Sequence, residues 1–203
     1  ITIIVVGDLN ISLLNQDRYF SLVKIKGKNR ELIAGFVHFP SKREYGLESL
    51  GKFFGDFRRQ LVDEEVLYDA QDSIVIGDFN VNPFEQPMIS FHSMGATNGQ
   101  YCSQRNLTVG NESNSLFYNP MWTLYAAHKE RPGGFRYAKT SNNVLAWHFL
   151  DQVIIRPSLI ECFNFDLLVV IKNTTTFNYL NRNQAPNKNK VSDHLPLMCE
   201  IEI

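Results

Sequence analysis

An aspartate and a histidine stand side by side near the end of the sequence, as Asp193 and His194 in the segment Val191–Pro196. A carboxylate oxygen is the hard ligand that Mg²⁺ prefers, and an imidazole nitrogen can contact a phosphate group or act as an acid or base. The two neighbours therefore offer a metal ligand and an acid–base group at one place. Taken alone, the segment is also explained by a surface loop with two polar residues before a proline.

A carboxylate and an amide stand two positions apart directly after an apolar run. The run is Ser73–Ile76, and Gly77 separates it from Asp78 and Asn80. Side chains two residues apart in an extended segment point the same way, so these two can face one small site. A glycine in a strand also lets a neighbouring backbone or a ligand approach closely. A strand followed by an Asx turn is the structural alternative, because Asp and Asn favour turns.

A third carboxylate interrupts an apolar run, because Asp151 lies near the start of Phe149–Ile155. A carboxylate in such surroundings must be paired or hydrogen-bonded, since its desolvation costs several kcal/mol. An imidazole is the natural partner, because the carboxylate would fix its tautomer and its orientation. An aspartate at the mouth of a strand, still reached by water, is the alternative.

Taken together, the three segments and their order resemble one known family. The sequence reads GDFN at 77–80, LDQVI at 150–154 and SDHLP at 192–196. This arrangement is similar to the endonuclease/exonuclease/phosphatase superfamily, the DNase-I-like group. The family also has a histidine at the end of an earlier strand, and His38 in the segment Val37–Pro40 fits that position. The resemblance extends from the first predicted strand to the last, and GDFN and SDHLP are fairly specific as a pair.

The resemblance implies a hydrolytic role for most of these residues. Asp78 would orient or deprotonate the attacking water, and Asn80 would hold both the phosphate and Asp78. His194 would contact a non-bridging phosphate oxygen, and Asp151 would fix the orientation of its ring. These roles amount to in-line attack of water on phosphorus, with a cation and hydrogen-bond donors stabilising charge on the equatorial oxygens.

The resemblance also implies a metal site and a fold. Asp193 would belong to a Mg²⁺ or Mn²⁺ site, and His38 would be a second donor to the phosphate. The implied architecture is an α/β fold, a DNase-I-like four-layer sandwich of two mixed β-sheets flanked by helices. Residues 1–203 would form a single domain of this type, incomplete at its N-terminus.

One part of the family pattern has no counterpart in the sequence. The family begins with a strand bearing Asn or Asp and continues to a strand ending in Gln-Glu, whose Glu is a principal metal ligand, and no such segment precedes Ile1. We therefore expect that upstream sequence is missing and that the 203-residue chain alone binds metal weakly. A second GDFN-like segment at 7–10 follows no histidine strand, so Asp8 and Asn10 are interpreted as turn formers.

Hydrophobic periodicity predicts the elements that must position these side chains. Apolar residues at three- and four-residue steps from Leu47 to Leu61 predict a helix packed on a sheet, and the capping-box spacing of Ser41 and Glu44 predicts its start. Residues 93–143 and 173–190 are polar and predict long loops. Strands interleaved with a helix indicate an α/β protein. The predicted strands are Ile1–Val6, Phe20–Ile25, Leu32–His38, Ser73–Ile76, Phe149–Ile155, Leu167–Ile171 and Leu197–Ile203.

Bulk composition suits a single packed domain. The chain has 203 residues, enough for a sizeable core. Its net charge of −1 weakens the argument for binding to a nucleic acid backbone, which a basic excess would favour. No apolar run approaches the roughly eighteen residues of a membrane-spanning helix. The three cysteines form no C-x-x-C pair, which predicts free thiols in a reducing compartment, the cytoplasm.

Two aromatic segments bear on the substrate. Phe117–Trp122 and Arg131–Tyr137 could stack on bases and hold phosphates, although loop aromatics more often anchor a loop to the core. We therefore predict a nuclease or related nucleic-acid phosphodiesterase, with nucleic acid as its partner, no membrane association and no identifiable protein partner. Two alternatives stay open. One is a phosphomonoesterase or phospholipase-type enzyme for a small or lipid phosphate, and the other is a binding module that has lost its metal-ligand Glu.

Overall fold

The computed structural model describes residues 3–4, 8–127, 133–136 and 145–203. Within these ranges the chain forms thirteen strands, four α-helices and a 3₁₀ helix, and none of the helices is long and apolar enough to cross a membrane. The helices are α1 (Leu47–Leu67), α2 (Gln86–Ile89), α3 (Gln100–Ser103) and α4 (Met121–Ala127), and the 3₁₀ helix is Pro157–Cys162. The strands are β1 (Asn10–Gln16), β2 (Phe20–Lys26), β3 (Glu31–His38), β4 (Ser73–Asp78), β5 (Ala96–Thr97), β6 (Asn106–Val109), β7 (Glu112–Ser115), β8 (Phe117–Tyr118), β9 (Phe135–Arg136), β10 (Trp147–His148), β11 (Asp151–Ile155), β12 (Phe163–Val170) and β13 (Leu197–Ile201).

The largest sheet contains seven strands in the spatial order β1-β2-β3-β4-β11-β8-β5. Strands β1, β2 and β3 form an antiparallel meander. Strands β3 and β4 pair in parallel, so the chain must cross over between them, and α1 makes that crossover. Strand β11 pairs antiparallel with β4. The sheet is therefore mixed, and the predicted α/β class is confirmed.

Helix α1 packs on one face of this sheet through the apolar stripe that its periodicity predicts. Its core-facing side chains are at most 1% exposed and share one cluster with Phe39 and Phe79. Full burial of one such side chain stabilises a fold by roughly 1.5–3 kcal/mol. The stripe consists of Leu50, Phe54, Phe57 and Leu61.

The predicted start of α1 is wrong. The helix begins at Leu47, and its N-cap Gly46 supplies no side-chain oxygen. The carbonyl of Ser41 instead accepts hydrogen bonds from the backbone N–H groups of Glu44 at 3.0 Å and Tyr45 at 3.2 Å, so this segment closes a turn. Capping-box spacing expresses a local hydrogen-bond preference, which a turn satisfies as well as a helix does.

The opposite face of the large sheet packs on the antiparallel pair β12–β13. Val153 and Ile155 of β11 share a buried cluster there with Phe163 and Leu168 of β12. The layers that the described residues form are therefore α1, the seven-stranded sheet and the β12–β13 pair. The described residues contribute two strands to the second sheet. The fourth layer, which would complete the predicted sandwich, stays a prediction.

The N-terminal strand prediction has a mixed outcome. Most of Ile1–Val6 lies outside the described residues, and Ile3 and Ile4 have no regular secondary structure. Strand β1 has no counterpart among the predicted strands. Asn10, interpreted from the sequence as a turn former, is its first residue and pairs with Lys26. A register irregularity within β1 interrupts the alternation of apolar and polar residues by which a strand is recognised.

A buried amide holds the register of β11. Gln152 is fully buried, and its Nε2 donates to the carbonyl of Val81 at 2.6 Å while its Oε1 accepts from Nδ2 of Asn119 at 2.9 Å. A slip of one residue would turn this side chain to the other face of the sheet and break both bonds. The observed register places Asp151 opposite Asp78.

Gly77 allows the backbones of β3 and β4 to approach each other closely. We therefore expect Gly77→Ala to lower the free energy of unfolding by about 2–3 kcal/mol. Its φ is +139°, and a Cβ at this position would collide with the carbonyl oxygen of Val37. Gly46→Ala is the matched control, because its φ is −68° and a Cβ there meets no atom within 4 Å. Urea denaturation measures both variants, and equal midpoints would contradict this account of Gly77.

The three cysteines are unpaired, and we expect two of them to differ sharply in reactivity. Cys102 is exposed, whereas burial raises the pKa of the Cys199 thiol to about 11. Because the thiolate is the reactive form, iodoacetamide at pH 8 should alkylate Cys199 more than about tenfold more slowly than Cys102. Peptide mass spectrometry follows both sites, and unfolding in guanidinium chloride should remove the difference. Equal rates in the folded protein would be inconsistent with the burial of Cys199.

Candidate active site

Three strand ends of the large sheet meet and bring three predicted site residues together. In the parallel pair, His38 at the end of β3 lies opposite Asp78 at the end of β4. In the antiparallel pair, Asp151 at the start of β11 lies opposite Asp78. The Nε2 atom of His38 is 3.8 Å from Oδ2 of Asp78. The register of the sheet therefore sets the positions of all three side chains.

Asn80 turns the chain away from β4 and holds Asp78. Its φ is +55°, a left-handed conformation that asparagine tolerates. Its backbone N–H donates to Oδ1 of Asp78 at 2.8 Å, and its side-chain amide donates to Oδ2 at 3.2 Å and to the carbonyl of Phe39 at 2.7 Å. The backbone bond has the geometry of an Asx turn, so the turn and the site interpretations both apply to these two residues.

His194 pairs with Asp151 through a short, charge-assisted hydrogen bond. Nδ1 of His194 lies 2.6 Å from Oδ2 of Asp151. The ring of Phe135 packs against the imidazole with centroids 4.8 Å apart. The next residue, Leu195, donates its backbone N–H to the carbonyl of Gly134 at 2.8 Å, which ties this loop to β9. Because Asp151 engages Nδ1, the Nε2 atom is the one that remains to contact a substrate.

Burial and nearby charges shift two pKa values in this cluster. Burial, together with the negative charge of Asp151, raises the pKa of Asp78 above that of an ordinary carboxyl group. Burial opposes a charge on His194, but the hydrogen bond and charge of Asp151 and the charge of Asp78 outweigh it, so the pKa of His194 is raised. When the ring is protonated, it is a counter-ion to the two carboxylates.

The same cluster could hold a divalent cation. Asp78, Asp151 and His194 each offer one ligand atom, and these atoms lie within 4.8 Å of one another. Carboxylate oxygens suit Mg²⁺ and Mn²⁺, and a cation would compensate two negative charges in partly buried surroundings. Among the residues described, Asp193 is exposed and stands outside this group, although its charge acts on His194. A metal role for Asp193 stays a prediction.

A polar network beside the cluster has no counterpart in the sequence predictions. The side-chain amide of Asn82 lies 2.8 Å from Nδ1 of His148, and its oxygen accepts the N–H of Phe149 at 3.1 Å. The backbone N–H of Asn82 donates to the carboxylate of Glu85, which Lys42 contacts at 2.8 Å. The network joins the turn after β4 to the segment that leads into β11, and so supports both halves of the site.

The aromatic segment Phe117–Trp122 anchors the fold. Every residue from Phe117 to Met121 is buried, and Trp122 is half-buried with its ring 6.1 Å from that of Phe84. These buried side chains are not available to stack on bases, so the structure supports the anchoring alternative for this segment. The second segment, Arg131–Tyr137, lies partly outside the described residues.

No protein-family model and no curated protein matches the sequence. Solved structures, however, share the architecture. The catalytic domain of human Nocturnin with bound sulfate has a TM-score of 0.52 at 18% identity, over 95% of this chain and 60% of that structure. Truncated TDP2 from Caenorhabditis elegans has a TM-score of 0.53 at 10% identity, over 95% of this chain and 66% of that structure. Both belong to the endonuclease/exonuclease/phosphatase superfamily. The chain has the DNase-I-like fold.

This finding confirms the resemblance that GDFN and SDHLP indicate in the sequence. The chain spans 60% and 66% of the lengths of the two DNase-I-like structures. At identities of 18% and 10%, the likeness to these two structures shows the fold alone. The roles of individual residues in this DNase-I-like protein must therefore be argued from its own geometry.

Proposed function

We propose that the protein is a divalent-metal-dependent phosphodiesterase that hydrolyses nucleic acid by in-line attack of water. The observation that carries this proposal is the convergence of two hydrogen-bonded pairs at one end of the sheet, Asp78 with Asn80 and Asp151 with His194. His38 stands beside them. The DNase-I-like fold supports the same reaction class.

Asp78 is suited to orient the attacking water and accept its proton. Asn80 donates to both of its carboxylate oxygens, so the base is held in one orientation before a substrate arrives. The side chain of Asp78 is 15% exposed, so it is largely shielded from solvent but can still be reached. A positioned base of this kind contributes about 10²–10⁴-fold to a rate.

His194 and His38 are suited to stabilise negative charge on the phosphate oxygens. Asp151 fixes the ring of His194 by its Nδ1 atom, so the Nε2 side is preorganised as a donor. The side chain of His38 is 71% exposed and can reach a phosphate bound above Asp78. Loss of one donor to a developing oxyanion costs about 10²–10³-fold.

A Mg²⁺ or Mn²⁺ ion, when bound, supplies Lewis-acid polarisation of the phosphate and compensates its charge. Asp193 and Asp151 are the ligands that we propose from this chain. His194 engages Oδ2 of Asp151, which leaves its Oδ1 for a cation, while Asp78 is assigned to the attacking water.

Hydrolysis assays of the full-length protein test the proposal. Single- and double-stranded DNA and RNA are incubated with Mg²⁺, Mn²⁺ or EDTA, beside p-nitrophenyl phosphate and inositol phosphates. We expect cleavage of nucleic acid that EDTA abolishes. Hydrolysis of the small phosphates alone would select a phosphomonoesterase or phospholipase-type enzyme. The absence of hydrolysis with every substrate and metal would select a binding module.

A further inference from the structure

A cavity of about 320 Å³ adjoins the catalytic cluster on the side of β2 and β3. Pockets that hold small organic ligands begin at about this size, so the cavity suits one compact group. It is separate from the Asp151–His194 pair, which does not line it. The residues that line it include Arg18, Tyr19, His38, Ser41, Glu44 and Asn80.

The place of the cavity follows from the strand order. Strand β2 runs antiparallel to β3, so the residue before β2 lies beside the residue that ends β3. The backbone N–H of His38 donates to the carbonyl of Tyr19 at 2.8 Å. His38 and Asn80 belong both to the cavity and to the surroundings of Asp78. A group in the cavity is therefore a direct neighbour of a phosphate held at Asp78.

Arg18 gives the cavity a positive rim. Its guanidinium lies over the ring of Tyr19, 5.2 Å from the ring centroid. Arg30, Arg59 and Arg156 pair with carboxylates, whereas Arg18 forms no ion pair with a carboxylate among the side chains that the structure describes. A guanidinium above a ring leaves N–H donors for a bidentate carboxylate or phosphate, and phosphate is the one of these two groups that a nucleic acid supplies.

The opposite side of the cavity offers hydrogen-bond acceptors. The hydroxyl of Ser41 and the carboxylate of Glu44 line it. A carboxylate repels a phosphate but accepts hydrogen bonds from sugar hydroxyls and from base amino groups. A positive rim on one side and acceptors on the other are complementary to a nucleoside that carries a phosphate.

We propose that this cavity binds the nucleoside next to the phosphate under attack, and that Arg18 binds the following phosphate of the chain. The inference rests on the proposed function and narrows it. The preferred substrate is a nucleic acid in which a second phosphate lies one nucleoside away from the scissile one. A phosphate ester without that second phosphate leaves Arg18 without its partner.

The test compares a thymidine dinucleotide with and without a terminal phosphate, using the full-length protein and Mg²⁺. We expect kcat/KM to be at least about tenfold higher for one terminally phosphorylated form, as a hydrogen bond to a charged group allows. Arg18→Ala should bring this ratio close to one. Arg59→Ala, which removes an exposed arginine on α1 that pairs with Asp56, should leave the ratio unchanged. A ratio that Arg18→Ala leaves intact overturns the inference.

A binding measurement without metal tests the cavity independently of hydrolysis. If the wild type hydrolyses neither the dinucleotides nor longer DNA and RNA, the proposed function fails, and fluorescence anisotropy with a labelled thymidine trinucleotide in EDTA tests the cavity alone. A Kd that rises at least about tenfold in Arg18→Ala but not in Arg59→Ala supports the cavity. Equal Kd values in the wild type and Arg18→Ala overturn it. Thermal unfolding of both variants shows that each is folded.

Discussion

Asp78→Asn is expected to lower the rate of phosphodiester hydrolysis by about 10²–10⁴-fold, the contribution of a positioned base. An amide has nearly the size of a carboxylate but cannot accept a proton from water. Its oxygen can still accept the N–H of Asn80, which lies 2.8 Å from Oδ1 of Asp78. The variant therefore removes the proposed proton acceptor without moving the strand, and kcat on an oligonucleotide with Mg²⁺ measures the effect.

Stability provides the control for this variant. Because burial and the charge of Asp151 raise the pKa of Asp78, the folded state binds the proton more tightly than the unfolded state, and the ionised carboxylate weakens folding at neutral pH. Removal of that charge offsets the lost hydrogen bond to Oδ2, so Tm should change little. Asp63→Asn, at an exposed position of α1, should alter neither rate nor Tm. Full activity in Asp78→Asn would remove Asp78 from the mechanism.

Glu65→Ala is expected to lower the free energy of unfolding by about 3–5 kcal/mol, the cost of leaving a buried charge without its partner. Glu65 of α1 pairs with Arg156, which directly follows β11, and the Nε–Oε1 and Nη2–Oε2 distances are both 2.8 Å. The side chains are 11% and 4% exposed. The two parallel bonds join the helix to the sheet at the end opposite the active site.

A second cation makes the loss of Glu65 more severe. Burial, together with repulsion from the charge of Arg156, lowers the pKa of Arg58 to about 10, so the guanidinium group of Arg58 stays charged at neutral pH. The carboxylate of Glu65 counters that repulsion. Without it, two buried cations face each other, and carbonyl groups such as that of Ser115 are the remaining partners.

An exposed ion pair on the same helix is the matched control for Glu65→Ala. Asp56 and Arg59 lie 2.9 Å apart with side chains 62% and 69% exposed. Such pairs contribute at most about 1 kcal/mol, so Asp56→Ala should change stability little. Urea denaturation of both variants at one pH gives the comparison. Similar losses in the two variants would mean that burial does not set the strength of the Glu65–Arg156 pair.

Local signals in the sequence predicted the parts of the molecule that local physics determines. The boundaries of β2 and β3 match the predicted strands to within one residue, because apolar alternation and a turn define a hairpin without help from distant residues. Asp151 stood out as a carboxylate in an apolar run, and the structure pairs it with an imidazole. The choice of His194 as that imidazole came from the family resemblance, not from the run itself.

Pairs of residues far apart in the chain could not be predicted from the sequence, because no periodicity connects their members. Glu65 and Arg156 are 91 positions apart. Arg58 lies off the apolar stripe of α1, yet it is buried because the carbonyls of Phe91 and Ser115 accept its N–H groups. Asn82 did carry a local signal, since it continues the two-residue spacing of Asp78 and Asn80. Its partner His148 could be found only from the folded chain.

The buried amide of Gln152 links the accuracy of folding to the assembly of the candidate site. A chain that paired β11 one residue out of register would displace Asp151 from Asp78 and would also leave the amide partners Val81 and Asn119 without Gln152. An unsatisfied buried polar group costs about 1–3 kcal/mol, and several arise together in such a slip. Misaligned molecules therefore unfold instead of accumulating as stable, inactive copies. Activity per folded molecule then reports the chemistry of the site and not a mixture of correct and incorrect folds.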